Sequence, residues 1–223
     1  MRTKALLLAL TLALSAPVAA MAQTAPDTAP AAAPTASSIA ALRPDDRIVG
    51  SMDAPVTLTT YLSTTCGHCA NWHNTILPTL MAKYVETGQV RIVYRDLPTP
   101  PQDVAGAGAV MARCVPADKF DAALDSLYRD QGILRAANEE EMHRNAMVWL
   151  AGAGAVGGLT PEQMNTCFDD EANWNALEAR VDASRADGVT GTPTFFVNGV
   201  LADIDSRDLA AFDAAIQPQL TAH

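Results

Sequence analysis

A β-branched run, Val56-Thr57-Leu58-Thr59-Thr60-Tyr61-Leu62, leads through Ser63-Thr64-Thr65 directly into Cys66-Gly67-His68-Cys69. An apolar stripe follows at Cys69, Trp72, His73, Ile76, Leu77, Leu80, Met81, Tyr84 and Val85. The first run alternates and reads as a strand; the second recurs at i, i+3, i+4 and reads as a helix. Any of Ser63, Thr64 or Thr65 is eligible to cap that helix. Pro78 lies inside the stripe and should kink it, and Gly88 ends it. Val90-Arg91-Ile92-Val93-Tyr94-Arg95 then reads as a second strand. Strand, helix, strand in this order is a βαβ unit, with two cysteines at its first strand-to-helix junction.

That junction carries chemistry. A cysteine at a helix N-terminus meets unpaired N–H groups and the positive end of the helix dipole, which stabilise its thiolate. The thiolate is the reactive form, so Cys66 is the expected nucleophile. The C-x-x-C spacing brings Cys69 within one helical turn, where it can attack and resolve a mixed disulfide on Cys66. Gly67 allows a partner backbone to approach. His68 offers a positive charge or a donor that tunes the thiolate. A purely structural disulfide at this spacing closes too small a loop to gain much. A zinc or copper site using Cys66, Cys69 and His73 or His68 is an alternative, but no second C-x-x-C completes a tetrahedron, and no metal is assigned. Haem attachment needs His immediately after the second cysteine, and Ala70 stands there.

Helical patterning dominates residues 103–186, with candidate helices at 104–115, 119–129 and 139–150. Thr160-Pro161-Glu162-Gln163 combines a capping box with Pro at the first helical position, and Trp174, Leu177 and Val181 suggest a further helix. Gly152-Ala153-Gly154-Ala155-Val156-Gly157 matches G-x-G-x-x-G, but a helical segment precedes it instead of a strand. It is read as a flexible connection between helices, not as a nucleotide site. Strand signals return at 194–197 and 200–204 around Asn198-Gly199, a strong hairpin signal. Ser206 is read as the cap of a last helix with the stripe Leu209, Phe212, Ile216 and Leu220. The order is βαβ, a helical block, then ββα.

Gly191-Thr192-Pro193-Thr194-Phe195-Phe196-Val197-Asn198-Gly199 places Thr-Pro just ahead of the hairpin strand. Together with the C-x-x-C in a βαβ unit, this resembles the thioredoxin superfamily. The helical block between the two halves narrows the resemblance to the DsbA family of exported thiol oxidoreductases. The matching stretches run from Gly50-Ser51-Met52-Asp53-Ala54-Pro55 through Arg95-Asp96-Leu97-Pro98 and resume at 188–199. The resemblance implies an α/β fold: a thioredoxin-like mixed sheet with an inserted helical domain, residues 42–102 and 187–223 forming the first and 103–186 the second. It implies a cis Pro193 facing the cysteines, with Thr192 beside it, as the surface that receives a substrate backbone. It implies catalysis by the redox-active pair Cys66 and Cys69 without a cofactor. Its substrates would be unfolded or partly folded exported proteins, reoxidation would come from a membrane partner of the DsbB kind, and the chain would act as a monomer. A disulfide isomerase or reductase of the same fold is the alternative. Two departures stand out. The best-known DsbA members carry Pro where Gly67 stands, and Thr60 occupies the position where the superfamily often buries an acid.

Residues 1–22 read as a cleavable signal peptide: Arg2 and Lys4, a short Leu-rich run, then Ala20-Met21-Ala22. Residues 23–41 are Ala/Pro-rich and read as a disordered linker. Export places the chain in the periplasm, an oxidising compartment where Cys114 and Cys167 would by default form a structural disulfide; two separate buried thiols are the alternative. The sequence holds 15 Lys and Arg against 25 Asp and Glu, a net charge of −10, which disfavours a nucleic-acid partner.

Overall fold

The computed structural model describes residues 35–221, apart from the side chain of Ser37. The expected signal peptide and the first part of the expected linker lie outside the described residues. Among the described residues, no helix is long and apolar enough to cross a membrane.

The chain enters through a short helix α1 (Ala36–Ala40), then β1 (Arg47–Val49) and β2 (Val56–Leu62). A continuous helical rod follows: α2 (Gly67–Asn71), a π-helical turn Trp72–Ile76, α3 (Leu77–Leu80) and a second π-helical turn Met81–Val85. β3 (Val90–Asp96) completes the βαβ unit. The helical block comprises α4 (Gln102–Cys114), α5 (Phe120–Arg129), α6 (Glu139–Val156), α7 (Pro161–Asp169) and α8 (Glu171–Ala186). The hairpin β4 (Thr194–Val197) and β5 (Val200–Ala202) and the helix α9 (Leu209–Leu220) close the chain.

The five strands form one mixed sheet in the order β1-β3-β2-β4-β5. β2 runs parallel to β3 and antiparallel to β4, and every residue of β2 is buried. A strand covered on both faces has no solvent side, so Thr57, Thr59 and Thr60 are buried along with Val56, Leu58, Tyr61 and Leu62. Trp72 is fully buried against Phe195 at 5.2 Å between ring centroids, and Phe195 meets Phe212 edge-on at 4.9 Å. This aromatic cluster locks the cysteine-bearing rod to the sheet. Trp72 is therefore core, as its stripe implies.

Several local expectations change. At Pro78, where the sequence predicts a kink, the helix passes through the π-helical turn just ahead of the proline. Pro has no N–H to give to the fourth carbonyl back, and the wide turn just before it takes up the mismatch, with Leu77 N–H bonding to Trp72 O. The G-x-G-x-x-G stretch is not a flexible connection, because α6 runs through Gly152 and Gly154 to Val156. A Cβ on Gly154 would stand 2.6 Å from the Met164 methyl, so glycine here lets α7 press onto α6. The cap of α9 is Asp208, whose carboxylate accepts from Ala210 N–H at 2.9 Å; Ser206 is buried instead.

The end of the expected disordered linker is also folded. Ile39 on α1 is buried among Tyr61, Val189 and Phe196. Arg95 explains why. Its guanidinium donates to Ile39 O and Ala41 O, to Tyr61 Oη, and in a fork to both oxygens of Asp46 at 3.0 Å each. Asp187 completes the cluster by accepting from Tyr61 and Arg43. Burial, with the Asp187 bond next, pushes the Tyr61 phenol up to about 12. At the hairpin, Asn198 and Gly199 both adopt positive φ (48° and 80°), the type I′ geometry that Asn-Gly favours.

Candidate active site

Cys66 is itself the N-cap of α2, with extended backbone, and no Ser or Thr side chain caps the helix. The three hydroxyl residues ahead of it serve another purpose: they fasten the turn to what surrounds it. Thr64 Oγ1 donates to Ala105 O at 2.9 Å, and Thr65 Oγ1 donates to Thr99 O at 3.3 Å. Gln131, in the 3₁₀ turn Gln131–Leu134, donates through Nε2 to Thr64 O at 2.9 Å and to Cys66 O at 3.2 Å. The helical block thus grips the reactive turn from outside the sheet. Nothing in the sequence pattern singled out Gln131, because its role exists only once the block has folded over the junction.

Cys66 is partly exposed and Cys69 is fully buried, and both are free thiols. The Cys66 thiol is lowered to about 5. The largest cause is a hydrogen bond from the Cys69 side chain; Thr192 and the main-chain N–H groups of Cys69 and His68 add to it, while burial opposes it. Burial, followed by the hydrogen bond and charge of Cys66, pushes Cys69 far above the ordinary thiol range. One sulfur is therefore a thiolate at neutral pH and the other holds its proton.

The sequence predicts that the His68 side chain tunes the thiolate. That side chain is exposed, and the residue's contribution to lowering Cys66 comes through its main-chain N–H, after those of Cys69 and Thr192. Gly67 is exposed as well; a Cβ there would find nothing closer than Gln131 Oε1 at 4.0 Å. The fold does not demand glycine at that position, which leaves an open approach over the turn.

Thr192-Pro193 is a cis peptide bond, and the loop lies against the cysteines: Cys66 Sγ stands 3.3 Å from Thr192 O, to which it donates only in its protonated form. A second cis bond joins Pro100 and Pro101. It borders a cavity of about 290 Å³ whose lining includes Thr65, Gln131, Leu134, Arg135 and Met142, immediately beside the reactive turn.

Thr60, at the position of the expected acid, is fully buried and donates to Val93 O at 3.1 Å. His73 is buried against Tyr128, ring centroids 4.7 Å apart, and burial lowers it to about 4. Among the described residues, no three His, Cys, Asp or Glu side chains gather in a metal-binding arrangement. Cys114 and Cys167 are joined by a disulfide that ties the end of α4 to α7.

A mixed sheet of this order, interrupted by a helical block and bearing a dithiol opposite a cis-proline turn, is a thioredoxin-like fold with a helical insertion. A family profile described as Thioredoxin matches residues 42–218, and the chain belongs to that family. A Rickettsia bellii protein with the provisional name protein-disulfide oxidoreductase is 33% identical over 176 residues, covering 78% of this chain and 65% of the relative. The chain thus spans somewhat less than two thirds of that relative's length. Among solved structures, Wolbachia pipientis alpha-DsbA1 matches with a TM-score of 0.73 at 19% identity, covering 84% of this chain and 97% of the other. Oxidised BdbD from Bacillus subtilis matches with a TM-score of 0.68 at 18% identity, covering 79% and 93%. At these identities the two structures speak to the fold alone.

Proposed function

We propose that this chain is a thiol-disulfide oxidoreductase that introduces disulfides into exported proteins through Cys66 and Cys69. The observation that carries the reading is the unequal pair: a partly exposed thiolate at Cys66 in hydrogen-bond contact with a buried, protonated Cys69. In the oxidised enzyme, a client thiolate attacks Cys66 Sγ. The Cys66–Cys69 bond breaks, the electron pair goes to Cys69, and Cys69 takes up a proton. A second client thiolate then attacks the client's own sulfur in the mixed disulfide. The client leaves with its disulfide formed, and Cys66 departs as a thiolate. Two electrons have passed from the client to the enzyme's dithiol.

The low pKa of Cys66 favours this direction, because a stabilised thiolate is a good leaving group and makes the enzyme's disulfide more oxidising. Thr192 and Pro193 bound the surface where the client backbone would lie, and the cavity beside Thr65 and Gln131 offers room for its side chains. The signal-like residues 1–22 support a periplasmic location, and reoxidation would fall to a membrane partner of the DsbB kind. The chain would work as a monomer and without a cofactor.

The test is an equilibration against graded reduced and oxidised glutathione, with thiol trapping to read the Cys66–Cys69 disulfide. A potential nearer about −120 mV than about −270 mV supports an oxidase. A value at or below the lower figure overturns it in favour of a reductase or an isomerase kept reduced.

A further inference from the structure

The turn that carries Cys66 has no side-chain cap, and the hydroxyls ahead of it are spent elsewhere. Ser63 Oγ accepts from Thr99 N–H at 3.1 Å, while Thr64 Oγ1 and Thr65 Oγ1 donate to Ala105 O and Thr99 O. The main-chain carbonyls of the turn need partners of their own. Thr64 is buried, and among the described residues its carbonyl has one partner, Gln131 Nε2 at 2.9 Å. The same nitrogen gives its other proton to Cys66 O at 3.2 Å, which also receives Ala70 N–H at 3.0 Å.

These targets fix the side chain. Carbonyl oxygens only accept, so the amide must turn its nitrogen to them. Its Oε1 is left on the Gly67 side, 4.0 Å from where a Cβ would stand. The base of the side chain is held as firmly. Gln131 opens the 3₁₀ turn directly after α5. The end of α5 is tied to the cysteine-bearing rod by Asn74 Nδ2, which donates to Tyr128 O at 3.3 Å, and to α6 by Trp149 Nε1, which donates to Leu127 O at 2.8 Å. The amide is thus presented to the turn from a frame bonded to the same rod as Cys69.

A thiolate is stabilised by N–H groups aimed at it and destabilised by negative dipole ends. At Cys66 the main-chain N–H groups of Cys69 and His68 serve the sulfur. They keep their aim only while the turn ahead of them keeps its course. With Thr64 O and Cys66 O held by the helical block, neither oxygen swings towards the sulfur.

We infer that Gln131 is a positioning residue of the dithiol: its amide nitrogen, clamping the carbonyls of Thr64 and Cys66, sets the reactivity of the Cys66 sulfur. It touches no reacting atom and acts through the main chain of the turn. The inference rests on the dithiol chemistry proposed above, which gives that sulfur its use.

Gln131→Met keeps the length of the side chain and removes both donors; Gln131→Asn keeps the amide but falls one methylene short. Asn145→Ala is the control: it frees Arg135 O, just beyond the same 3₁₀ turn, and leaves the Gln131 amide in place. Thiolate absorbance against pH reads Cys66 in each reduced protein, glutathione equilibration reads the dithiol, and thermal melting reads folding. Both Gln131 variants should raise the Cys66 midpoint by about half a pH unit or more, a factor of about three in thiolate formation. The glutathione equilibrium should move toward the enzyme's disulfide by about threefold or more, since a less stabilised thiolate makes a weaker oxidant. Asn145→Ala should move neither, even where it lowers the melting temperature. Should one Gln131 variant fail to fold, the other carries the test. Unmoved midpoints, or an unmoved equilibrium, in the folded Gln131 variants overturn the inference and leave Gln131 a purely structural contact. An equal shift in Asn145→Ala overturns it in favour of general loosening of the helical block. If wild type itself shows no exchange with glutathione, the proposed function falls, and the midpoints alone decide for or against Gln131.

Discussion

Cys66 Sγ lies 3.3 Å from the main-chain carbonyl oxygen of Thr192, 126 residues further along the chain. The two halves of the fold, separated in sequence by the helical block, meet at this contact. The reactive sulfur therefore sits on a surface whose other wall is the cis Thr192-Pro193 turn.

Because the Cys69 thiol is the largest influence holding Cys66 down, Cys69→Ala should raise the Cys66 pKa clearly above 5. The thiolate absorbance of reduced wild type and variant, followed against pH, reads this directly. An unchanged midpoint would mean that the helix N–H groups alone set it.

The same depressed pKa has a consequence for stability. Unfolding returns Cys66 from about 5 to the ordinary thiol value, so the folded state binds fewer protons between those limits. The reduced protein should gain stability relative to Cys66→Ser as pH rises from about 5 toward 9, and lose that gain as pH falls through 5. Urea melts of both proteins across this window check the sign; a flat difference would contradict a stabilised thiolate.

Cys69→Ser removes the sulfur that resolves a mixed disulfide while leaving Cys66 reactive. Incubated with an unfolded thiol-bearing client and an oxidant, this variant should accumulate a covalent complex on non-reducing gels. Cys66→Ser should form none, since the remaining Cys69 is buried.

Arg95 and Asp46 form a buried ion pair, each side chain 3% exposed. Arg95→Met should cost about 3–5 kcal/mol in chemical denaturation, because it leaves Asp46 without its cation in the interior, whereas Asp187 keeps Arg43. Adding Asp46→Leu should recover part of the loss. Limited proteolysis should also cut sooner near residues 36–41 in the single variant, since Arg95 holds the carbonyls of Ile39 and Ala41.

The disulfide between Cys114 and Cys167 spans 53 residues. Replacing both with Ala should lower stability by about 2–4 kcal/mol, with the glutathione equilibrium of Cys66 and Cys69 little changed. A large shift in that equilibrium would show that the bond also governs the reactive turn.

The parts readable from sequence are those whose signals are local. The β2 alternation, the stripe behind Cys69, the Thr160 capping box and the Asn198-Gly199 hairpin each rest on neighbours a few positions apart. The resemblance that joined them to Thr192-Pro193 supplied the fold. What escaped depends on distant partners. Gln131 matters only because two carbonyls of the cysteine turn lie within its reach. The glycines of α6 look like a breaker until Met164 is packed against Gly154. The helix α1 has little apolar content of its own and forms where Arg95 and the pocket around Ile39 receive it. Asp208 and Ser206 are both acceptable caps, and burial of Ser206 decides between them.

Only one of the two reactive sulfurs can be touched from solvent. Any molecule joined covalently to Cys66 can be released in two ways: by a thiol arriving from outside, whose rate rises with its concentration, or by Cys69 from beneath, whose rate does not. The buried sulfur thus acts as an internal timer. A covalently held molecule that has not exchanged before the timer runs out is let go in reduced form, whatever the abundance of competitors around it.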